Sequence, residues 1–226
     1  MLKIDELKKQ IDEMVFYLDD VKGYGLFKKL RRENKELMES SEAVRNSFLV
    51  LQFLAIPHLS TREIAALLRE HLTIGLNLEE IDLTERIKNK LILLDIADRD
   101  NFKQALKSAL IANSEEIISE VKVNDGKTIR TVADWIKDYI SNLQKQHGGS
   151  VLERAQYFYQ QPYVAKLPES EKNTLKKLIA LHQFLNTSSL SPDGFEDDLL
   201  MRTEDGRLVT TNKGRIVTLL AVGSCL

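Results

Sequence analysis

The sequence predicts an all-α fold: a multi-helix bundle of about seven to nine helices, with an N-terminal amphipathic helical hairpin. Apolar residues recur at spacings of three and four along most of the chain, which is the period of an amphipathic helix. Only 4 prolines and 10 glycines interrupt the 226 residues, so long helices are allowed. The composition, 43% hydrophobic and 29% charged, is typical of a globular chain with a buried core.

Three segments are expected: an N-terminal arm over 1–57, a helical bundle over 58–187, and a short tail over 188–226. The chain length suits one large domain or two small ones. The last boundary follows a stretch rich in Ser, Pro, Asp and Gly, which favour loops over helices. The tail is expected to be irregular or to form a short β-hairpin.

The opening segment has the cleanest helical period of the chain. Six apolar residues lie on one stripe, as in a coiled-coil seam, and charged residues lie off it. The stripe consists of Ile4, Leu7, Ile11, Met14, Leu18 and Val21. Such a stripe needs a covering surface, which is this chain's second helix, a second copy, or another protein. Gly23 and Gly25 are predicted to break or cap this helix.

A second pattern at spacings of three and four runs from Phe27 to Ala55, with a polar middle. It predicts either one long helix reaching Pro57 or two helices that meet near Ser41, where a serine can cap the second. Asn34 falls on a seam position of this pattern. It either fixes register from a buried site or is solvated.

Several later helices have predicted starts, because a Ser or Thr followed three residues later by an acid forms a capping box. Pro168 is predicted at a first helical position. The predicted starts are Ser60 with Glu63, Thr131 with Asp134, Ser150 with Glu153, a looser Asn77 with Glu80, and Asp98 or Asp100.

Two segments favour β-hairpins over helices. Residues 121–129 place β-formers around Asn-Asp-Gly, and residues 199–209 place apolar residues around Asp205-Gly206. Asp-Gly and Asn-Asp-Gly sequences favour the tight turns that join antiparallel strands.

Two basic regions suggest contacts with nucleic acid. Residues 59–94 resemble a degenerate helix-turn-helix, although the usual tight turn after Ala66 is missing. The cluster over 28–35 could bind nucleic acid, an anionic membrane or an acidic partner, while acids at helical spacing favour a solvated face of ion pairs. The candidate contacts are Lys28, Lys29, Arg31, Arg32, Arg62 and Arg69. The net charge of −2 gives no compositional support for nucleic-acid binding.

An aromatic cluster precedes the last predicted helix. Aromatic side chains can stack on bases or grip a peptide, but no Lys or Arg lies within 157–165, which favours a structural role. The cluster consists of Tyr157, Phe158, Tyr159 and Tyr163.

Catalytic, metal-binding and cofactor-binding motifs are absent from the sequence. The histidines, His58, His71, His147 and His182, are far apart and form no zinc motif, so no metal and no cofactor are expected. His182 lies on an apolar helical face, where a histidine is usually buried and satisfied. The one cysteine excludes an intramolecular disulfide, and no apolar run is long enough to span a bilayer. We expect a cytoplasmic protein without enzymatic activity.

Two stretches carry a resemblance to known proteins. The sequence YVAKLPESEKNTLKKLIALHQFL, residues 163–185, resembles the C-terminal helix of uncharacterised small helical proteins of bacteria with reduced genomes. The sequence TVADWIKDY, residues 131–139, is similar to the same proteins. Both are helix starts and not catalytic motifs, so the resemblance implies a helical fold and no activity.

The sequence therefore predicts a non-enzymatic protein-interaction or assembly module, with self-association or a protein partner formed through the N-terminal stripe. The alternative is a nucleic-acid-associated regulator that uses residues 59–94 and the basic cluster at 28–35. Salt-dependent binding to nucleic acid would distinguish the second function from the first.

Overall fold

The structure is a computed structural model that describes residues 7, 9–10, 13, 21–78, 81–123, 126, 128–144, 157–186, 200–202, 208–212 and 215–218. Within these residues ten α-helices and a short 3₁₀ turn at Ile56–His58 have defined bounds, and residues 7, 9–10, 13 and 157–160 are also helical. The helices are α1 (Val21–Glu33), α2 (Lys35–Ser40), α3 (Glu42–Leu54), α4 (Thr61–Glu70), α5 (Leu72–Asn77), α6 (Leu83–Ile92), α7 (Ile96–Ile111), α8 (Val132–Gln144), α9 (Pro162–Ala165) and α10 (Glu169–Asn186). The described residues are mostly helical, in rough agreement with the predicted all-α bundle, but they also contain strands, and the helices are more numerous and shorter than expected.

The glycines near the start of α1 do not end it, and this prediction was wrong. The helix runs from Val21 through Gly23 and Gly25 to Glu33. Tyr24 and Phe27, which are close to these glycines in α1, are buried in the core. Burial of these two aromatic side chains outweighs the roughly 1 kcal/mol that each glycine costs a helix.

The predicted break near Ser41 is confirmed, and a second break occurs at Asn34. Ser41 has an extended backbone and its hydroxyl accepts a hydrogen bond from the Val44 amide, so it caps α3. Asn34 lies between α1 and α2, is buried, and donates from Nδ2 to the Leu30 carbonyl at 2.9 Å. Its amide is therefore satisfied within its own chain.

Two of the predicted capping boxes form as expected. Ser60 and Glu63 exchange hydrogen bonds at the start of α4, and Thr131 and Asp134 do so at the start of α8. The box at Ser150 and Glu153 lies outside the described residues. Helix α10 begins at Glu169, so Pro168 lies one residue before the first helical position predicted for it.

Two predicted helix starts were wrong. Asn77 ends α5, and α6 instead begins after Asp82, whose carboxylate accepts from the Thr84 and Glu85 amides. Helix α7 begins at Ile96, so Asp98 and Asp100 lie inside it. In the first case the predicted start lies five residues before the capping residue Asp82, and in the second case it lies inside the helix.

Both predicted β-hairpins are present. Strands β1 (Glu116–Lys122) and β2 (Thr128–Thr131) pair antiparallel, and Gly126 between them has a φ of 78°, which only glycine adopts readily. Strands β3 (Leu200–Arg202) and β4 (Leu208–Asn212) pair antiparallel around the Asp-Gly sequence. A third strand that the sequence analysis missed, β5 (Arg215–Thr218), pairs with β4 to give the order β3-β4-β5.

One cluster of buried side chains connects the helices. It includes Leu7, Phe48, Trp135 and Leu185, so residues on both sides of position 57 contribute to it. The proposed division into segments stays a prediction. Among the described residues, no helix combines the length and apolar character needed to cross a bilayer.

Candidate basic binding pocket

A pocket of about 740 Å³ opens where α1, α2 and α3 meet the start of α4. Five cationic side chains, two carboxylates and three aromatic or apolar side chains line it. The lining residues are Tyr24, Phe27, Lys28, Arg31, Arg32, Lys35, Met38, Glu39, Arg45 and Glu63.

Helical spacing and the break at Asn34 bring these residues together. Tyr24, Phe27, Lys28 and Arg31 follow one another at intervals that place them on one face of α1. After the break, α2 presents Lys35, Met38 and Glu39 at the same intervals. Arg45 then joins from α3, where its Nε donates to the Met38 carbonyl at 3.3 Å.

The base of the pocket is anchored to the core by aromatic contacts. The Tyr24 ring stacks on His58 with centroids 5.3 Å apart, and Phe27 packs against Phe48 with centroids 6.1 Å apart. Lys28 covers the Tyr24 ring from 4.5 Å, an arrangement that a cation–π attraction stabilises. Burial, followed by the nearby charge of Glu63, raises the pKa of the Tyr24 phenol, so this group stays protonated near neutral pH.

Glu63 is the acid that the fold fixes most firmly at this site. Its Oε2 accepts from the Ser60 amide at 2.8 Å and from the Ser60 hydroxyl at 2.7 Å. Burial acts to raise the pKa of Glu63, but the hydrogen bonds from Ser60 and the charges of Lys28 and Arg31 outweigh it. The pKa therefore lies below its ordinary value, and Glu63 stays ionised near neutral pH.

The pocket carries an excess of positive charge that the chain as a whole lacks. Five cations and two carboxylates leave a formal charge of +3 at the pocket, whereas the whole chain has a net charge of −2. Charge of one sign in a concave site raises the local concentration of oppositely charged ligands. The chemistry offered here is capture of an anion beside an apolar surface.

Comparison with protein families places the chain. The model of the uncharacterised protein family UPF0158 matches residues 1–147. The chain belongs to this family. Comparison with curated proteins and with solved structures finds no match. Every residue that lines the pocket falls inside the matched region, as does the stretch 131–139, whereas the stretch 163–185 follows it.

In this UPF0158 protein the predicted nucleic-acid contacts divide into two groups. Three of them, Lys28, Arg31 and Arg32, line the pocket together with Lys35. The other three, Lys29, Arg62 and Arg69, are not among the lining residues. The predicted ion pairs also form: Lys29 lies 3.9 Å from Glu33 and Lys35 lies 3.8 Å from Glu39.

The lining residues that the sequence analysis did not assign to a binding site are Tyr24, Phe27, Met38, Glu39, Arg45 and Glu63. Tyr24 and Phe27 share helical spacing with Lys28 and Arg31, and this spacing could have indicated that the four side chains lie on one face. Arg45 gave no such signal, because it reaches the pocket only through the turn between α2 and α3.

The N-terminal stripe is only partly described in the UPF0158 structure. Leu7 is fully buried in the core cluster, and Val21 is the first residue of α1. Ile4, Ile11, Met14 and Leu18 lie outside the described residues. The coiled-coil seam stays a prediction.

The region that resembled a helix-turn-helix folds as α4, α5 and α6. Its middle helix, α5, has six residues and buries Leu72, Gly75 and Leu76. Arg69 on α4 pairs with the adjacent Glu70. DNA reading by this region stays a prediction.

The aromatic cluster forms contacts within the protein. Tyr157 and Tyr163 both donate hydrogen bonds to Asp138 Oδ2 at 2.8 Å, and the Tyr157 ring packs edge-on against Tyr139. Phe158 is half-buried, and Tyr159 is 83% exposed. These bonds fasten the chain around residues 157–163 to α8.

The described histidines do not gather into a metal site. His182 is buried beside Tyr139 and Asn186, while His58 stacks on Tyr24 and His71 is the C-cap that follows α4. Across the described part of the chain, no group of three or more His, Cys, Asp or Glu side chains is placed to hold a metal ion.

Proposed function

We propose that this UPF0158 protein is a non-enzymatic interaction module that binds an acidic segment of a partner protein in the basic pocket. The observation that carries the proposal is the concentration of five cations around an aromatic and apolar base, in a chain of net negative charge. The proposal includes a partner met in the cytoplasm, the location expected from the sequence.

An acidic peptide segment fits both halves of the pocket. Arginines bind carboxylates through two parallel hydrogen bonds, and the pocket presents three of them, Arg31, Arg32 and Arg45. Met38 is half-buried at the same site, and a flexible thioether adapts to varied apolar side chains. A partner segment that carries both carboxylates and apolar side chains would use both surfaces.

The ionisation states at the pocket favour binding over catalysis. Arginine does not deprotonate in proteins, so three of the five cations cannot exchange protons with a substrate. Glu63 has a lowered pKa, which makes its carboxylate a weaker base than an ordinary glutamate. Fixed charges of this kind hold an anion in place.

A second candidate function is nucleic-acid regulation through the basic cluster at 28–35 and the helices of 59–94. Lys28, Arg31 and Arg32 would meet phosphates, which supply most of the affinity in non-specific binding. Base stacking is disfavoured, because one face of the Tyr24 ring packs on His58 and Lys28 lies over the ring. The pocket therefore fits an acidic peptide better than a single strand.

Two lysines provide a matched test. Lys35 and Lys29 each pair with a glutamate four residues ahead, at 3.8 and 3.9 Å, but only Lys35 lines the pocket. Replacing Lys35 by Gln should weaken binding of a labelled synthetic peptide of glutamate and leucine by about three- to fivefold, the effect of one exposed charge. Replacing Lys29 by Gln should leave binding unchanged.

Fluorescence anisotropy at two salt concentrations provides the measurement. Binding should weaken as salt rises, because exposed charges are screened. Equal losses from the Lys35 and Lys29 substitutions would mean that the peptide senses net charge and not the pocket. Absence of peptide binding at low salt would refute the proposed function.

A further inference from the structure

We infer that Glu63 sets the ligand specificity of the basic pocket, by disfavouring closely spaced phosphates and admitting sparsely spaced carboxylates. This inference rests on the proposed function, since it concerns which anions the same pocket accepts. It assigns to one side chain a selective role separate from its contribution to the fold.

Three hydrogen bonds with Ser60 hold Glu63 in the pocket lining. Its Oε2 is held by the amide and the hydroxyl of Ser60, and its own amide donates back to the Ser60 hydroxyl at 3.3 Å. This capping box fixes the carboxylate at the start of α4. An incoming anion therefore meets this negative charge in the pocket lining.

The surroundings of Glu63 explain why its charge acts on the ligand. Lys28 and Arg31 are close enough to stabilise its ionised form, so these two cations are partly neutralised before any ligand arrives. Glu39, the other acid of the lining, lies 3.8 Å from Lys35. Arg32 and Arg45 form the remaining strongly positive part of the pocket lining, and we refer to these two residues as the rim.

Charge density then separates two ligand classes. A nucleic-acid strand carries a charge on every nucleotide, so a bound strand must place phosphates near Glu63 as well as near the arginines. A peptide can direct its carboxylates toward the rim and an apolar side chain toward Glu63 and the base. Repulsion from Glu63 therefore weakens binding of the strand by about two- to fivefold for each nearby phosphate. It weakens binding of the peptide much less.

The Glu63→Gln variant tests this role without removing the helix start, because glutamine also serves in a capping box. The control is Glu70→Gln, which makes the same change of charge two turns later on α4, outside the pocket lining. Circular dichroism melts of both variants establish that the fold is kept. Anisotropy then measures affinity for a labelled oligothymidylate and for the labelled glutamate–leucine peptide.

The expected result is a change of preference in one variant only. Glu63→Gln should tighten oligothymidylate binding by about tenfold and peptide binding by threefold or less, with Glu70→Gln unchanged from the parent protein. If Glu63→Gln tightened binding of both ligands equally, or if the two variants had equal effects, the role of Glu63 would be overturned. The proposed function would still stand in either case, provided that the parent protein binds the peptide. A parent protein that prefers oligothymidylate to the peptide, or binds neither, would overturn both.

Discussion

Buried His182 makes the fold sensitive to acid. It lies on α10, only 4% exposed, with the Tyr139 ring edge-on to it at 6.3 Å. Burial, aided by the positive charge of Lys107, lowers the pKa of His182 from 6.5 to about 4. Neutral imidazole is accommodated here, whereas the protonated ring is not.

The size of the stability loss follows from the pKa of His182 in the unfolded chain, 6.5, and in the folded protein, about 4. Between pH 6.5 and about 4, the unfolded chain binds a proton at this position that the folded protein does not bind. Stability therefore falls as the pH is lowered through this range, and the lowering of the pKa corresponds to about 3 kcal/mol at its acid end. Above pH 6.5 both states are neutral and the effect vanishes. A loss of this size is a large part of the stability of a typical domain.

Urea denaturation at a series of pH values from 7 to 4 measures the effect. His182→Leu should show a shallower fall in unfolding free energy than the parent protein, with the difference growing to about 3 kcal/mol near pH 4. Lys107→Gln should remove a smaller part of the fall in unfolding free energy, because the charge of Lys107 lowers the pKa of His182 less than burial does. The exposed Lys176→Gln serves as its control. Parallel pH profiles for His182→Leu and the parent would refute the reasoning.

Two further predictions concern packing and buried hydrogen bonds. Gly75→Ala should destabilise the protein by about 1–2 kcal/mol, because the new Cβ would lie 2.5 Å from the Phe53 ring, and overpacking outweighs the gain in helix propensity. In a Phe53→Leu background, Gly75→Ala should destabilise the protein less. If the shifts in urea midpoint of the two substitutions were additive, the clash would be contradicted. Asn113→Ala should cost about 3 kcal/mol, because buried Asn113 donates to the Leu68 carbonyl at 2.8 Å and accepts from the Glu115 amide at 2.6 Å. The exposed Asn46→Ala is its control, and comparable losses from both would contradict the role of the buried amide.

Local chemistry made some features of the fold predictable. The capping boxes at Ser60 and Thr131, the cap at Ser41 and the turn at Gly126 each depend on residues within a few positions of one another. Side chains and backbone of such short segments meet whatever the rest of the chain does. For that reason these predictions were confirmed.

Long-range packing decided the course of α1, which the sequence analysis predicted wrongly. Gly23 and Gly25 remain helical because the neighbouring Tyr24 and Phe27 bury against partners far along the chain, His58 and Phe48. Helix propensity is a weak prior that tertiary contacts override. No window of local sequence contains these partners.

The basic pocket shows the same limit for function. The cluster at 28–35 could be read from adjacent residues, but a run of cations on one helix with glutamates at helical spacing favours a solvated face over a binding site. The breaks at Asn34 and Ser41 turn the chain so that α2 and α3 add Lys35 and Arg45 to the cations of α1.

Net charge could not reveal this pocket, because it sums over a whole chain whose acids and bases are nearly equal in number. What a ligand meets is the local charge, +3 at this pocket, within a Debye length of about 8 Å at physiological salt. Acidic residues farther away are screened and hardly reduce it. A chain of net charge −2 can therefore bind anions at one site and repel them elsewhere, which favours occupation of the pocket over non-specific binding.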